Sequence, residues 1–515
     1  MRKGKFCIKK RFFTFIEIFF FTLIFACGGG GGGGISVVET GGPDEIVFTG
    51  AVGAEKYIEL GIKKSLLGTD NSNVYYVIFD VLISSWDEKY EDSGRVGTDL
   101  QDMINAAGND ATVSEIRKYV FIQEGTYIPG ETRENSFSMK NNVTIIGGFL
   151  GTEENGVPKG KNGNTILYGN NNSYHVFFHA GATSVDATAQ LRNVTITGGN
   201  ANLGGINTYG GGMYNDNSSP TIAGCSFVKN TASSFYAVVA GGGMYNIGDS
   251  SPTLVSCSFR ENTVFSESTT YTAVVYGGGL YHKGKNLTLK GCVFANNEAV
   301  NNTSSIDVTS AGGGIFTENS DDITFTDCIF ENNKAYSDCV SKYVSTSGGG
   351  ICNRYSKLEL INCSFINNIA YSYSTLLDTE IHISASGGGM FSNASVTLRD
   401  CTFRGNTSYA YLRTDSLTKS TAFSTGGGMS TSSANITLSG CTFKGNKATA
   451  FAPTRYIDCY GGGVFYSSTV EIYWNAPNNI FSSNTTDHGS SASKTDNINN
   501  NSNIVSSPPA NVIYQ

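Results

Sequence analysis

Apolar and polar residues alternate in short runs through most of this chain. In Thr221-Ile222-Ala223-Gly224-Cys225-Ser226-Phe227, Cys225 and Phe227 fall on one face and Ser226 on the other, which is the two-residue period of a strand. The same Cys-x-Phe pattern returns down the chain, and each Phe is followed three residues later by Asn. The pairs are Phe227/Asn230, Phe259/Asn262, Phe294/Asn297, Phe330/Asn333, Phe365/Asn368, Phe403/Asn406, Phe443/Asn446 and Phe481/Asn484. About twenty residues before each Asn stand three glycines, beginning at Gly210, Gly241, Gly277, Gly312, Gly348, Gly387, Gly426 and Gly461. No apolar pattern of period 3.6 runs through these blocks, and Gly, Ser, Thr and Asn are poor helix formers. The pattern predicts a stack of one repeated unit built from strands.

The spacing says where the core lies. From first Gly to Asn each block holds 20 to 24 residues, whereas the gap to the next triplet runs from 10 to 19. A nearly constant block carries the core, and a variable insert leaves and rejoins it. The block length suits one coil of an all-β, right-handed, single-stranded parallel β-helix, a solenoid with an N-terminal cap and lateral insert loops. In such a coil Phe is the large inward filler. Asn is a turn residue tolerant of left-handed backbone, whose amide can also bond its neighbours along the axis. Glycine allows positive φ or close backbone approach at a corner. A phosphate loop has no reason to occur eight times and lacks the Lys-Ser/Thr that would follow it. Calcium-binding nonapeptides require Asp at fixed offsets, which are absent here. Strand-like stretches such as Val238-Val239 and Ile381-His382-Ile383 in the inserts suggest a second layer beside the stack.

Seven cysteines share one repeat position: Cys225, Cys257, Cys292, Cys328, Cys363, Cys401 and Cys441. In-register stacking separates their Cβ atoms by about 4.8 Å, wider than the ~3.8 Å a disulfide prefers, and zinc needs ligands that converge. The reading is a column of small buried residues. Cys339, Cys352 and Cys459 lie off that column. After each triplet and one apolar residue comes an aromatic in most repeats: Tyr214, Tyr245, Tyr281, Phe316, Phe391 and Phe465. Alternation turns these outward as a candidate binding face, unless the inserts fold back and cover them.

Before the repeats the pattern predicts strands at Tyr75-Tyr76-Val77, Tyr119 to Ile122, Val143 to Glu153 and Thr165 to Gly169, and a short helix from Asp99 to Ala107 with Leu100, Met103 and Ile104 on one face. The chain divides into 1–26, a lipoprotein signal peptide; 27–73, a Gly-rich tether and linker; 74–190, the cap and first coils; 191–484, the repeat β-helix; and 485–515, a disordered tail.

The N-terminus supplies the address. Six basic residues precede an apolar run from Phe12 to Phe25, then come Ala26-Cys27 and seven glycines, as in a secretory signal. Leu23-Ile24-Phe25-Ala26-Cys27 resembles the bacterial lipoprotein box. That resemblance implies cleavage before Cys27, acylation there (palmitate among the chains) and anchoring in a membrane. Residues 1–26 hold those six bases and one acid, Glu17, so their removal takes the net charge from −8 to −13. Nucleic acid is thereby excluded as a partner.

The ordered set of motifs resembles the polymorphic outer-membrane proteins of chlamydiae and related β-helix lipoproteins of other bacteria. The residues that carry this are Gly-Gly-Gly-Ile at 312–315 and 348–351, Gly-Gly-Gly-Met at 210–213, 241–244, 387–390 and 426–429, the Phe-x-x-Asn pairs, and the Glu-Gly-Thr-Tyr stretch at 124–127. The resemblance implies a surface-exposed protein of the cell outer membrane and an adhesive or antigenic role, with a host or environmental glycan or protein as partner. Classical members carry a β-barrel translocator after the last coil; here the lipid anchor is expected to take its place. No cofactor, metal site or catalytic residue is expected, and the chain is read as non-enzymatic. The alternative is a polysaccharide lyase or glycosidase, which needs carboxylates clustered on neighbouring coils; Asp321-Asp322 and the Lys283/Lys285 pair around His282 read instead as polar turns.

Overall fold

The structure, a computed structural model, describes residues 58–59, 72–78, 94–154, 157–160, 165–202, 207–235, 238–266, 268, 272–376, 380–413, 420–432, 436–452, 456–467, 472–475, 480–488, 504–507 and 512–514. The signal peptide, Cys27, the glycine tether and Ser84-Ser85-Trp86 lie outside them.

Each coil passes through five parallel sheets. One complete turn runs Ile351–Arg354, Lys357–Ile361, Ser364–Ile366, Ile369–Ser374 and His382–Ser386, one strand per sheet. Pairing is residue for residue between coils: Phe365 lies on Phe330 below and Phe403 above. The first three sheets enclose the body. Their inward residues in this coil, Ile351, Leu358, Leu360, Cys363 and Phe365, are all at most 1% exposed and belong to one continuous core. The Phe column is continuous from Phe227 to Phe481, with ring centroids 4.4–5.3 Å apart. That spacing is the interstrand distance, so identical rings in register stack without leaving their rotamers.

The fourth and fifth sheets hold the inserts. The chain leaves the body after Asn, runs out along the fourth sheet and returns along the fifth to the next glycines. The inserts are therefore strands of a lateral fin and not loops, as their β-branched and alternating pattern allowed. The fin has its own core, which includes Ala410, Ile381, Ile383 and Leu412; Ala335 and Ala370, nearer the body, are fully buried as well. Where the two sheets approach closely, hydroxyls bridge them. Ser310 meets Ser337, Thr346 meets Ser372 and Ser408 meets Ser424, each at 2.8 Å. Small side chains permit the approach, and the hydroxyls satisfy each other inside it.

At each corner the three glycines have different reasons. Gly241 has φ +66°, a Cβ on Gly242 would lie 2.6 Å from the carbonyl oxygens of Gly278 and Thr263, and one on Gly243 would lie 2.5 Å from that of Gly279. Only the first needs conformational freedom; the others need the absence of a side chain.

The helix Leu100–Ser114, α1, covers the open end. It runs a full turn and more beyond the predicted end, and Asp99 caps it by accepting from the Asp102 amide at 2.8 Å. Leu100, Ile104, Ala107 and Ala111 enter the main core. The extension past Ala107 is held by tertiary contact: Asp110 bonds Lys118 at 2.9 Å and Tyr75 at 2.8 Å. At the other end, three segments of the tail are described. Thr485–His488 completes the last coil by pairing with Lys447–Ala450 of the one before, and Ile504–Ser507 and Val512–Tyr514 pair in register with Val464–Ser467 and Ile472–Trp474, because an open stack edge presents unpaired backbone groups to any β-prone segment within reach.

Candidate binding surface

The buried columns set what remains for the surface. Asn230, Asn262, Asn297, Asn333, Asn368, Asn406 and Asn446 are all at 0% exposure, and Asn484 is at 3%. Asn262 donates from Nδ2 to Asn297 Oδ1 at 3.0 Å, and Asn297 from Nδ2 to Asn333 Oδ1 at 2.9 Å. Asn368 donates from Nδ2 to Asn406 Oδ1 (2.9 Å) and to the Phe330 carbonyl (2.8 Å), while its Oδ1 accepts the amide and the Nδ2 of Asn333 (both 3.0 Å). The amide column predicted from the repeats is thus present with its capacity filled.

One part of the expectation for these residues is corrected. Asn was read as the left-handed turn residue of each coil, yet none of Asn230, Asn262, Asn297, Asn333, Asn368, Asn406, Asn446 and Asn484 has positive φ. The residue before each one does. Glu261 ahead of Asn262 has φ 55° and Asn296 ahead of Asn297 has φ 57°; Lys229, Asn332, Asn367, Gly405, Gly445 and Ser483 complete the series at 53–65°. Asn itself is needed inside, with its amide facing up the axis, so its neighbour takes the strained backbone.

The seven column cysteines, Cys225, Cys257, Cys292, Cys328, Cys363, Cys401 and Cys441, are free and buried. Burial pushes the Cys225 thiol up to about 12, and its Sγ lies 3.5 Å from the Leu191 carbonyl. The Cys225 thiol is thus a protonated filler. Cys339, Cys352 and Cys459 are also unpaired by disulfides; the first lies in the fin core and Cys459 packs against it.

The aromatics after the glycines do form a column. Tyr214, Tyr245, Tyr281 and Phe316 stack at 4.9–5.4 Å. They are not a continuous exposed face. Tyr245 is 4% exposed, Tyr281 6% and Phe316 0%, while Tyr214, Phe391 and Phe465 are half-buried. The glycine corner folds the fin back over the first sheet. Tyr209 then stacks on Tyr245 at 4.4 Å and Tyr276 on Phe316 at 4.2 Å, with the Arg354 guanidinium 5.4 Å above the Phe316 ring. At Cys352 the aromatic column is interrupted, between Phe316 and Phe391.

An accessible aromatic array lies elsewhere, on the outer face of the fourth sheet. There Tyr336, Tyr371 and Tyr409 stack at 4.8 and 5.2 Å. Two residues further along the same strands, Tyr373, Tyr411 and Phe451 stack at 5.4 and 4.7 Å. All six are half-buried, in strands that alternate half-buried with fully buried residues. The ranks lie 6.0–6.3 Å apart at Tyr409–Tyr411 and Tyr371–Tyr373. The sequence did carry this signal: the alternation continues through Asn333-Lys334-Ala335-Tyr336 and Asn368-Ile369-Ala370-Tyr371-Ser372-Tyr373. It escapes a reading that ends the core at Asn.

Acids across neighbouring coils face bases. Asp322 pairs with Lys357 (3.1 Å), Glu359 with Arg399 (3.3 Å), Glu298 with Lys334 (2.9 Å) and Asp487 with Lys447 (3.0 Å). His282 lies inside the body at 0% exposure, not in a polar turn. Among the described residues, no group of three His, Cys, Asp or Glu is placed to hold a metal.

Residues 327–354 match the Chlamydia polymorphic membrane protein repeat. This segment runs from the Cys328/Phe330 columns through Asn333 and both fin strands to the glycines at 348–350 and one strand beyond. Among solved structures the chain is similar to the A-module of the Azotobacter vinelandii mannuronan C-5 epimerase AlgE6, at 12% identity over 76% of this chain and 95% of that one, TM-score 0.23. It is similar to PfbA, a surface adhesin of Streptococcus pneumoniae, at 12% identity over 77% and 89%, TM-score 0.27. A third is tailspike protein 3 of bacteriophage CBA120, at 12% identity over 79% and 59%, TM-score 0.26. No curated protein sequence matches the chain.

Proposed function

We propose, on the premise that a Chlamydia polymorphic membrane protein repeat is built into this solenoid, that the protein is a lipid-anchored protein of the bacterial outer membrane. Its β-helix faces outward and binds a partner without catalysis. The observation that carries this reading is the regularity of the flank. From Met213 to Ser482 the coils repeat in register, so the molecule's distinctive product is a long surface with the same outward positions at each level. The cross-coil pairing of acids with bases supports the non-enzymatic part, since a lyase or glycosidase requires two acids, or an acid and a free base, aimed at one bond. The Ala26-Cys27 junction and its glycines support the anchor.

Two measurements test it. Protease added to intact cells should release peptides from the fin, and Cys27→Ser should abolish palmitate labelling and move the chain out of the detergent phase. Full protection of the fin, or labelling that survives the substitution, would sink the respective claim. Turnover of any polysaccharide that a single carboxylate substitution eliminates would put the β-helix lyase or glycosidase in its place.

A further inference from the structure

We propose that the two aromatic ranks on the outer face of the fourth sheet form the binding site of this surface, and that its occupant is a neutral β-linked polysaccharide lying along the solenoid axis. The proposal rests on the reading of the protein as a non-enzymatic surface binder and names its site and ligand class. Within each rank the rings stack face to face at 4.7–5.4 Å. Their faces are therefore closed, and what they offer a partner is edges and phenolic oxygens. The two ranks lie 6.0–6.3 Å apart, ring edge against ring edge, and so form one continuous strip parallel to the axis.

Three features select the occupant. First, charge: the cations beside the ranks, Lys334 and Lys447, are already paired with Glu298 and Asp487. Asp338, at the head of the second rank, accepts the Tyr336 hydroxyl at 3.1 Å. Among the described residues, the strands that carry the ranks hold no spare cation, and Arg413, exposed one residue beyond the third of them, is a single charge at their margin where an anionic polymer or a nucleic acid needs several. Second, chemistry: ring edges interleaved with hydroxyls match a partner whose own surface interleaves C–H edges with hydroxyls, as pyranose rings do. Third, period: the site repeats at the strand spacing, close to the advance per residue of an extended β-linked pyranose chain, so successive sugars meet equivalent groups on successive coils. A globular protein has no such repeat. The array is confined to the levels of Tyr336, Tyr371, Tyr409 and Phe451. The equivalent positions in earlier coils are Phe265 and Val300 in the first rank.

The test uses the full chain in detergent and two soluble probes, cello-oligosaccharides and laminari-oligosaccharides of two to six units, with binding followed by calorimetry. Affinity should rise with length and level off when the oligomer spans the array. Replacing Tyr371 and Tyr409 together by Ser should weaken hexaose binding at least tenfold. These side chains lie outside both cores, so the fold should persist; the lost ring stacks lower the melting temperature, and binding is compared well below both midpoints. Replacing Tyr373 and Tyr411 by Phe keeps the stacks, removes two hydroxyls and should give a smaller loss; it also decides the matter if the Ser variant does not fold. Absence of binding to every hexaose, or binding that neither variant changes, overturns the proposal. Dimerisation of the wild-type chain that the Ser variant abolishes overturns it in favour of a second copy as the occupant. Surface exposure by protease shaving stands apart from all these outcomes.

Discussion

At the scale of the residue, Asn is the least replaceable part of the repeat. The Asn368 side chain closes four hydrogen bonds in a fully buried site, to Asn406, to the Phe330 carbonyl and to the amide and side chain of Asn333. Removing it takes a partner from the Asn333 amide and the Phe330 carbonyl; the Asn333 side chain keeps the Phe294 carbonyl, and the Asn406 oxygen keeps the backbone amide of residue 368. Buried groups so stranded cost about 1–3 kcal/mol apiece before relaxation. Asn368→Ala should therefore destabilise by roughly 3–5 kcal/mol, at the upper end for a point change, and the equally placed Asn262 and Asn297 should respond alike. Asn484→Ala should cost less: Asn484 bonds the Phe443 carbonyl and accepts the amide and side chain of Asn446, as Asn368 does with its own neighbours, but it stands in the last coil and is the one member of the column that is not fully buried, at 3% exposure. Amide hydrogen exchange in the flanking coils is the measurement, since a stack can open locally. Equal losses at the two positions would contradict the cumulative role of the column.

At the scale of the element, the first sheet carries a second inward polar column, and it is broken. His179 Nδ1 meets Asn215 Oδ1 at 2.8 Å, and Asn215 donates to Asn246 at 2.8 Å. Further along, Thr317 donates to Asn353 at 2.7 Å and Asn353 to Ser392 at 3.0 Å. Between these runs, Asn246 Nδ2 and both ring nitrogens of His282 have no partner among the described residues. Burial holds His282 neutral, its pKa pushed down to about 3; burial does the same to His179, at about 4. An unfolded His takes a proton near pH 6.5, so between there and the folded values the unfolded chain binds more protons than the native one. Stability is then complete above about pH 6.5 and falls as the pH drops toward 4. Melting temperature should decline across that window, and His282→Asn should flatten the decline. A variant whose decline matches the wild type would show that His282 is not a source of it. At neutral pH the same change gives Asn246 an amide neighbour of the kind Asn215 already has, and should not destabilise.

At the scale of the whole molecule, stability is a sum over coils and their contacts with neighbours. Deleting residues 348–386 removes one strand from each of the five sheets and brings Ser347 to Gly387, a junction the repeat already contains. Ile315 then faces Met390 and Phe330 faces Phe403, pairs of the same character as those lost. The variant should fold, with its axis shorter by about one strand spacing of ~4.8 Å, as small-angle scattering would show. It also takes away Tyr371 and Tyr373, so the array closes to four rings. Collapse of the variant into an aggregated or molten chain would show that the coils are less interchangeable than their register implies.

The sequence by itself determined the repeat, its coil, and which residues point inward. Inward packing at fixed register is a local matter: a two-residue alternation places Cys and Phe on one face, and identical neighbours at one strand spacing stack without further instruction. The Phe column, the buried unbridged cysteines and the Asn amide column were legible for that reason. Which residue bends the backbone was not, because Asn262 or Asn297 suits a left-handed turn as well as a buried column, and only the packed interior chooses between them. The outer surface was not legible either. Whether an outward ring is open depends on what another segment does, and the angle at the glycine corner is set by close backbone approach across coils, which no single repeat records. Tertiary structure alone therefore decided that Tyr245, Tyr281 and Phe316 lie beneath the fin while Tyr371 and Tyr409 remain accessible. It likewise decided that α1 runs on to Ser114, where Lys118 and Tyr75 hold Asp110, and that the tail from Ile504 adds strands to an edge only the finished stack provides.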